Sequence, residues 1–171
     1  MFPDPLIAEA RGLLDELRRR DLKIATAESC TGGLIAGLLT EIPGSSDVVE
    51  RGFVTYSTDA KMESIGVPGH LISTLGAVSK EVAIAMAEGA LVKSLADVAV
   101  AVTGVAGPGG GTALKPVGLV HIAAARLGGV TVHQECRFGT LSRSEIRLRT
   151  IGAALELVHR AVRDGDETAG Q

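Results

Sequence analysis

The chain has 171 residues, with 17 Lys and Arg against 20 Asp and Glu and a formal net charge of −3. This length fits a single domain, residues 1–171, that buries its own core, and leaves no room for a second full domain. The charge balance gives no reason to expect nucleic acid or an anionic membrane as a partner, and three Phe, one Tyr and no Trp exclude an aromatic platform for stacking bases.

The first predicted helix covers residues 4–20. Asp4 and Pro5 are typical of a helix start, and one apolar stripe follows at helical spacing, formed by Leu6, Ile7, Ala10, Leu13, Leu14 and Leu17. Acids and prolines stand where a secretory peptide needs a basic start, and no later apolar stretch reaches the ~18 residues of a membrane span. We therefore expect a cytoplasmic protein with no membrane partner.

The stretch "ATAESCTGGLIAG" predicts a strand that passes through a polar junction into a helix. The buried strand covers residues 22–28, and apolar residues follow at helical spacing over residues 34–42. Ser29, Cys30 and Thr31 stand at the junction, where free N–H groups and the positive helix end can stabilise a phosphate or a developing oxyanion. This position suits Ser29 as a nucleophile. The alternative is that Ser29 or Thr31 only caps the helix.

Residues 48–57 are rich in β-branched and aromatic side chains and predict a second strand, and residues 59–66 predict a short helix after it. Lys61 lies in that helix or at its entry. A lysine held out of water has a disfavoured ammonium, so its neutral amine can take a proton from a serine hydroxyl. The alternative is an exposed lysine at a solvated helix start, which is the usual case. A further helix begins at the cap Ser79 and ends near Ser94.

Residues 97–103 form an apolar run that is typical of a strand buried on both faces of a sheet. The run leads directly into a glycine-rich loop, residues 104–112. This loop matches neither a Walker A sequence nor the Gly-x-Gly-x-x-Gly pattern. Its successive glycines allow backbone N–H groups to approach an anion closely. The alternative is a mobile surface loop.

Residues 117–126 and 130–138 predict two strands joined by a short glycine-bearing link, which indicates an antiparallel hairpin. The last helix opens with Ser142 and Glu145 in capping-box spacing. Its polar end, residues 163–171, is expected to fray.

Helices that alternate with strands, together with one hairpin, predict an α/β fold with a core over about residues 5–162. The expected architecture is a three-layer α/β/α sandwich with a mixed, mostly parallel sheet. Ligands of such sheets gather beyond the carboxyl ends of the strands. Ser29 and the loop 104–112 both fall at that edge.

The remaining residues offer weaker chemistry. A histidine triad is not indicated, because His121 and His133 lie in predicted strands and His70 and His159 look exposed. Cys30 is the second candidate nucleophile if the helix dipole lowers its pKa, although a buried inert thiol is the commoner case. Neither cysteine has a partner at metal-ligand spacing, so we predict no metal site and a reducing compartment.

Four long blocks in order carry a resemblance to a known family: "TAESCTGG", "PGSSDVVERGFVTYSTDAK", "GAVSKEVAIAMAEGAL" and "AVAVTGVAGPGGGTALKPVGLVHIA". Together they resemble the CinA carboxy-terminal domain family, the nicotinamide mononucleotide deamidases also called PncC, over about residues 5–162. Longer members carry an additional amino-terminal domain, and this chain looks like the standalone form.

The resemblance implies an amidohydrolase that converts nicotinamide mononucleotide and water into nicotinic acid mononucleotide and ammonia, without a metal or cofactor. It implies Ser29 as the nucleophile and Lys61 as the base, with Tyr56 close enough to join the proton network. Backbone N–H groups of the Cys30 to Gly33 segment would hold the oxyanion. The implied oxyanion and substrate-binding residues are Cys30, Thr31, Gly32, Gly33, Thr103, Gly104, Gly107, Gly109, Gly110, Arg143 and Arg147.

The substrate phosphate is expected on the loop 104–112, with Thr103 at its entry, or on Arg143 and Arg147. Two places depart from the family pattern. Thr58 stands where Asn is typical, and "FGTLSR" stands where Phe-x-Gly-Asp-Arg is typical. The two arginines keep the Arg-x-x-Ile-Arg spacing, but the missing Gly-Asp weakens the phosphate contacts expected there.

Two other functions would keep the same pocket. One is a nucleotide-binding or regulatory module without turnover, and the other is a hydrolase of a different small amide. The retained Ser29 and Lys61 favour the deamidase. The expected partners are a small nucleotide substrate and a second copy of the chain, as a two-fold dimer, with no nucleic acid.

Overall fold

Five strands form one central sheet. The computed structural model describes the backbone of residues 1–169 and the side chains of residues 1–163. The strands are β1 (Ile24–Glu28), β2 (Val49–Val54), β3 (Val98–Gly104), β4 (Leu119–Arg126) and β5 (Val132–Arg137). They lie in the order β2-β1-β3-β4-β5. β1 is parallel to β2 and β3, whereas β4 is antiparallel to β3 and β5. The predicted mixed, mostly parallel sheet with an antiparallel hairpin is confirmed.

Helices cover both faces of the sheet. They are α1 (Asp4–Arg19), α2 (Leu34–Thr40), α3 (Thr58–Ile65), α4 (Gly69–Leu75), α5 (Lys80–Val92) and α6 (Arg143–Ala169), with a short 3-10 helix at Ser45–Asp47. The first, second and sixth helices pack on one face, and the other three pack on the opposite face. The predicted three-layer α/β/α sandwich is therefore confirmed. Among the described residues, no helix is both long and apolar enough to cross a membrane.

Two helical segments differ from the expected pattern. The sequence does not predict α4, whose seven residues are too few to show an apolar period and whose start has no side-chain cap. α6 continues to Ala169, across most of the segment 163–171 that the sequence predicts to fray. Residues 170 and 171 lie outside the described residues.

The two faces of the sheet carry side chains of different size. Toward α1, α2 and α6 the strands present branched side chains, namely Ile24, Val98, Val100, Val102, Val120 and Ile122. Toward α5, strands β1, β3 and β4 present mainly alanines, namely Ala25, Ala27, Ala99, Ala101, Ala123 and Ala125, and Phe53 of β2 packs against the same cluster. α5 also touches α3 closely, since a Cβ on Gly89 would lie 2.0 Å from the carbonyl oxygen of Ile65. This tight packing holds α3, which carries Lys61, near the sheet.

The carboxyl ends of the three parallel strands meet at one edge. The register places Glu28 of β1 beside Val54 of β2 and Val102 of β3. The sheet edge beyond these residues is where ligands of such folds bind.

Candidate active site

Ser29 follows β1 directly and is held by the strands on both sides. Its N–H donates to the carbonyl of Val102 at 3.1 Å, and the N–H of Thr55 donates to the carbonyl of Glu28 at 2.9 Å. These bonds extend both parallel pairings beyond the last strand residues. Hydrogen bonds to β3 and to the residue after β2 therefore fix the backbone of the candidate nucleophile.

Lys61 reaches the same edge from the first turn of α3. That helix begins at Ser57, whose hydroxyl accepts the N–H of Ala60 at 3.0 Å. The Lys61 residue is only 1% exposed, and its Nζ lies 3.0 Å from Ser29 Oγ. The structure thus brings the two predicted catalytic residues within hydrogen-bonding distance. The alternative of a solvated surface lysine is wrong.

Two backbone carbonyls complete the surroundings of the Lys61 amine. Nζ donates to the carbonyl of Thr55 at 2.7 Å and to that of Tyr56 at 3.4 Å. Among the side chains that the structure describes, no carboxylate forms an ion pair with this amine. Burial therefore lowers the pKa of Lys61 below its ordinary 10.5. In the neutral amine, two N–H groups can serve the two carbonyls while the lone pair faces Ser29.

The helix after the nucleophile is capped by Glu28. α2 follows Gly33, which has a φ of 97° and offers no side-chain cap. The fully buried Glu28 carboxylate accepts the N–H groups of Gly33, Ile35 and Ala36 at 3.1, 3.0 and 2.9 Å. The Thr31 hydroxyl donates to the same carboxylate at 2.6 Å. The alternative that Ser29 or Thr31 caps the helix is therefore wrong, because the Glu28 carboxylate reaches the helix end from the preceding strand.

Glu28 is the residue of this site that sequence reasoning missed. Its signal is an acidic side chain at the end of a fully buried strand, where a carboxyl group needs hydrogen-bond donors. Because Glu28 accepts the free N–H groups of the helix end, the hydroxyl of Ser29 is not needed as a cap and bonds to Lys61 instead.

Only part of the predicted oxyanion-binding backbone is open. The N–H of Gly32 donates to the carbonyl of Ser29 at 3.0 Å, and the N–H of Gly33 donates to the capping carboxylate. Both groups are thus engaged in this structure, and their role in holding an oxyanion stays a prediction. Within the described part of the chain, the N–H groups of Cys30 and Thr31 donate to no other residue. These two are the donors available beside the nucleophile.

The thiol of Cys30 does not compete with Ser29. The residue is 5% exposed and belongs to the apolar core under α1, α2 and α6. Burial raises the pKa of its thiol to about 11, so the thiol is protonated at neutral pH. The helix dipole does not produce the lowered thiol pKa that this alternative requires.

Two glycines at the start of the loop 104–112 serve close packing. A Cβ on Gly104 would lie 2.7 Å from Val120 Cγ2, and a Cβ on Gly107 would lie 2.6 Å from Val117 Cγ1. Gly107 also has a φ of 74°. Steric demands thus account for both glycines without a ligand.

The second half of the loop, residues 108–112, is exposed. Gly109 and Gly110 are exposed, and Gly110 has a φ of 81°. Thr103, at the loop entry, is 1% exposed and donates its hydroxyl proton to the carbonyl of Ala77 at 2.8 Å. Its proton is therefore engaged in a bond to the segment between α4 and α5.

Arg143, the first residue of α6, links the loop 104–112 to the segment after β2. Its guanidinium donates to the carbonyl of Gly107 at 2.8 Å and to the hydroxyl of Tyr56 at 2.9 Å. Tyr56 is 59% exposed. The Tyr56 hydroxyl thus bonds to Arg143. The backbone carbonyl of Tyr56, and not its side chain, is the group that contacts Lys61.

Arg147 lies one turn further along α6 and faces the junction after β1. It donates to the carbonyl of Thr31 at 2.8 Å. Its Nε is buried and has no hydrogen-bond partner among the described residues. The start of α6 thus places two guanidinium groups beside the Ser29 segment, and one of them keeps an unused donor.

The histidines lie elsewhere. His121 and His133 stack with ring centroids 5.3 Å apart on β4 and β5. His70 is exposed, whereas His159 is partly buried and bonds to Glu16, so its expected exposure is wrong. Among the described residues, no group of three or more His, Cys, Asp or Glu could hold a metal ion.

Comparisons with known proteins place the chain beside one family. A family model described as the CinA C-terminal domain matches residues 8–162. A putative competence-damage inducible protein of Caldicellulosiruptor bescii is 47% identical over 159 residues, which is 90% of this chain and 38% of that protein. A CinA-like protein of Akkermansia muciniphila is 58% identical over 121 residues, which is 71% of this chain and 29% of that protein. The chain thus spans less than two fifths of the length of these relatives.

Solved structures extend the likeness to the whole fold. The competence/damage inducible protein CihA from Agrobacterium tumefaciens has a TM-score of 0.93 and 53% identity, covering 94% of this chain and 98% of that chain. A CinA superfamily protein from Escherichia coli has a TM-score of 0.85 and 31% identity, covering 92% of each chain.

Proposed function

The chain belongs to the CinA C-terminal domain family, and from this premise we propose that it is an amidohydrolase that deamidates nicotinamide mononucleotide to nicotinic acid mononucleotide and ammonia. The observation that carries the proposal is the buried amine of Lys61 at 3.0 Å from Ser29 Oγ. A base within hydrogen-bonding distance of a hydroxyl, with a pKa lowered by burial, is what a serine nucleophile needs.

In the first half of the reaction, the neutral Lys61 amine takes the proton of Ser29 as Oγ attacks the carboxamide carbon. The carbonyl oxygen gains negative charge, and the N–H groups of Cys30 and Thr31 are the open donors that would stabilise it. Lys61, now an ammonium, then protonates the departing nitrogen. Ammonia leaves, and Ser29 holds the acyl group as an ester.

In the second half, the same amine activates water. Lys61 takes a proton from the water as the water oxygen attacks the ester carbon, and it returns that proton to Ser29 Oγ when the ester breaks. One water is consumed, the acid product is released, and both side chains recover their starting protonation.

We place the substrate phosphate at the start of α6, on Arg143 and Arg147. A guanidinium binds phosphate through paired N–H donors, and the buried Nε of Arg147 has no partner among the described residues. The loop 104–112 is a weaker candidate, because Gly104 and Gly107 are explained by packing and the Thr103 hydroxyl proton is engaged.

A cytoplasmic location and a homodimer are part of the same proposal. The two cysteines are both free, as a reducing compartment requires. Sedimentation equilibrium of the purified chain would measure its oligomeric state.

The direct test is to incubate the purified protein with nicotinamide mononucleotide and to measure ammonia and nicotinic acid mononucleotide. Lys61→Met keeps a buried chain of similar length without the amine, and we expect it to lower kcat on the order of 10³-fold. Lys93→Met is the matched control, because Lys93 is exposed just after α5 at the opposite edge of the sheet. We expect it to keep wild-type activity.

Other results would redirect the proposal. Hydrolysis of a different small amide, with the mononucleotide left intact, would change the substrate and keep the mechanism. Binding of the mononucleotide without release of ammonia would favour a nucleotide-binding or regulatory module. Full activity of Lys61→Met would contradict the assigned base.

A further inference from the structure

The carboxylate of Glu28 is completely buried and accepts five hydrogen bonds beside the nucleophile. Three come from the N–H groups that begin α2. The other two come from the hydroxyls of Thr26 at 3.2 Å and Thr31 at 2.6 Å. No ion pair with Glu28 exists among residues 1–163, whose side chains are described. The carboxyl group of Glu28 therefore accepts hydrogen bonds from all five of these donors.

We propose that Glu28 is a positioning residue for the Ser29–Lys61 pair, an inference that rests on the proposed function of that pair. Its carboxylate ties the end of β1 to the start of α2, and the segment 29–33 is held between those two points. The orientation of Ser29 and of the open N–H groups of Cys30 and Thr31 is thereby fixed.

Glu28 also keeps the nucleophile free. The start of a helix has N–H groups that need acceptors, and a nearby serine hydroxyl commonly supplies one. At α2 the carboxylate supplies all three acceptor contacts, so Ser29 Oγ bonds to Lys61 Nζ instead. Without the carboxylate, the N–H groups of the helix end could draw the Ser29 oxygen toward themselves and turn its hydroxyl away from Lys61.

The backbone of the same residue reaches the base. The carbonyl of Glu28 accepts the N–H of Thr55 at 2.9 Å, and the carbonyl of Thr55 accepts Lys61 Nζ at 2.7 Å. Glu28 thus contacts the nucleophile segment through its side chain and the strand that orients the base through its main chain. A shift at this one position would change the distance between the two reacting groups.

Glu28→Gln tests the inference because it keeps the shape and replaces one acceptor oxygen by a donor group. The probe is a fluorophosphonate, whose phosphorus is attacked by an activated serine oxygen with loss of fluoride while the base takes the serine proton. We expect labelling of Ser29, measured by peptide mass spectrometry well below the melting temperature, to slow by about 10- to 100-fold. kcat for deamidation should fall by a similar factor, with KM nearly unchanged.

Two sets of variants separate positioning from folding. Asp97→Asn is the matched control, since Asp97 accepts the N–H of Lys23 at 2.8 Å at the opposite edge of the sheet, and it should label at the wild-type rate. Should Glu28→Gln fail to fold, Thr26→Val and Thr26→Ser replace it. Valine removes one donor to the carboxylate and should slow labelling several-fold, whereas serine keeps the hydroxyl and should restore the rate.

The outcomes distinguish this inference from the proposed reaction. A folded Glu28→Gln protein, or in its place Thr26→Val, that labels as fast as wild type overturns the inference and leaves the deamidase proposal standing. Wild-type protein that labels at Ser29 but leaves the mononucleotide intact contradicts the substrate, while slower labelling of Glu28→Gln still supports the positioning role. Wild-type protein that neither labels nor hydrolyses contradicts both.

Discussion

The starts of α2 and α6 both pair a serine with a glutamate, but in opposite arrangements. At α6 the Ser142 hydroxyl accepts the N–H of Glu145 at 3.3 Å, and the Glu145 carboxylate accepts the N–H of Ser142 at 2.9 Å. This reciprocal pair is exposed to solvent. At α2 the glutamate precedes the serine, lies in the core, and caps the helix alone.

The difference shows what frees a serine for chemistry. The Ser142 hydroxyl is engaged with its own helix, as in an ordinary capping box. The Ser29 hydroxyl does not cap α2, because the buried Glu28 carboxylate accepts the free N–H groups of that helix. Ser29 Oγ lies 3.0 Å from Lys61 Nζ and bonds to it. The same two residue types therefore stabilise one helix start and prepare a nucleophile at the other.

The largest expected effect comes from Ser29→Ala. We expect kcat for ammonia release to fall on the order of 10³-fold or more. The free energy of unfolding, measured with urea, should change by less than about 0.5 kcal/mol, because the hydroxyl is not a cap. If Ser29→Ala instead loses about 1 kcal/mol of stability and keeps its activity, the Ser29 hydroxyl caps α2, as Ser142 caps α6.

The pH dependence of kcat/KM should report the state of Lys61. Activity needs the neutral amine, so it should rise with pH and be lost as the pH falls through the pKa of Lys61, which burial places below 10.5. In the unfolded chain Lys61 has its ordinary pKa of 10.5. At a pH between the lowered pKa of the folded protein and 10.5, the unfolded chain therefore binds a proton that the folded chain lacks. The free energy of unfolding should therefore also rise with pH in that interval.

Two variants sharpen this pH experiment. Ser142→Ala should keep the profile of the wild type, whereas Lys61→Met should lose the rise in stability with pH. A kcat/KM that does not fall at any pH below 10.5, down to the pH at which the protein unfolds, would contradict Lys61 as the base.

The smallest expected effect comes from Ser142→Ala. Loss of the cap should lower the free energy of unfolding by about 1 kcal/mol, measured by urea denaturation. kcat should stay within about two-fold of wild type, since the hydroxyl serves only its own helix. A loss of kcat comparable to that of Ser29→Ala would instead assign the start of α6 to the reaction.

Much of the fold could be predicted because its signals are local. The apolar run at residues 97–103, the hairpin over 117–138 and the capping box of Ser142 each lie within a short stretch of chain. The structure confirms these elements. α4 was not predictable in this way, because seven residues starting after a proline show neither a cap nor an apolar period.

By itself, the sequence determined the order of the elements, the family resemblance, and Ser29 and Lys61 as the pair to consider. Only the tertiary structure decided that Lys61 is buried against two carbonyls, that Glu28 caps α2, and that Gly104 makes room for β4. The physical reason is separation along the chain. Ser29 and Lys61 are 32 positions apart, and whether a lysine is desolvated or a serine is free depends on neighbours that only the folded sheet brings together.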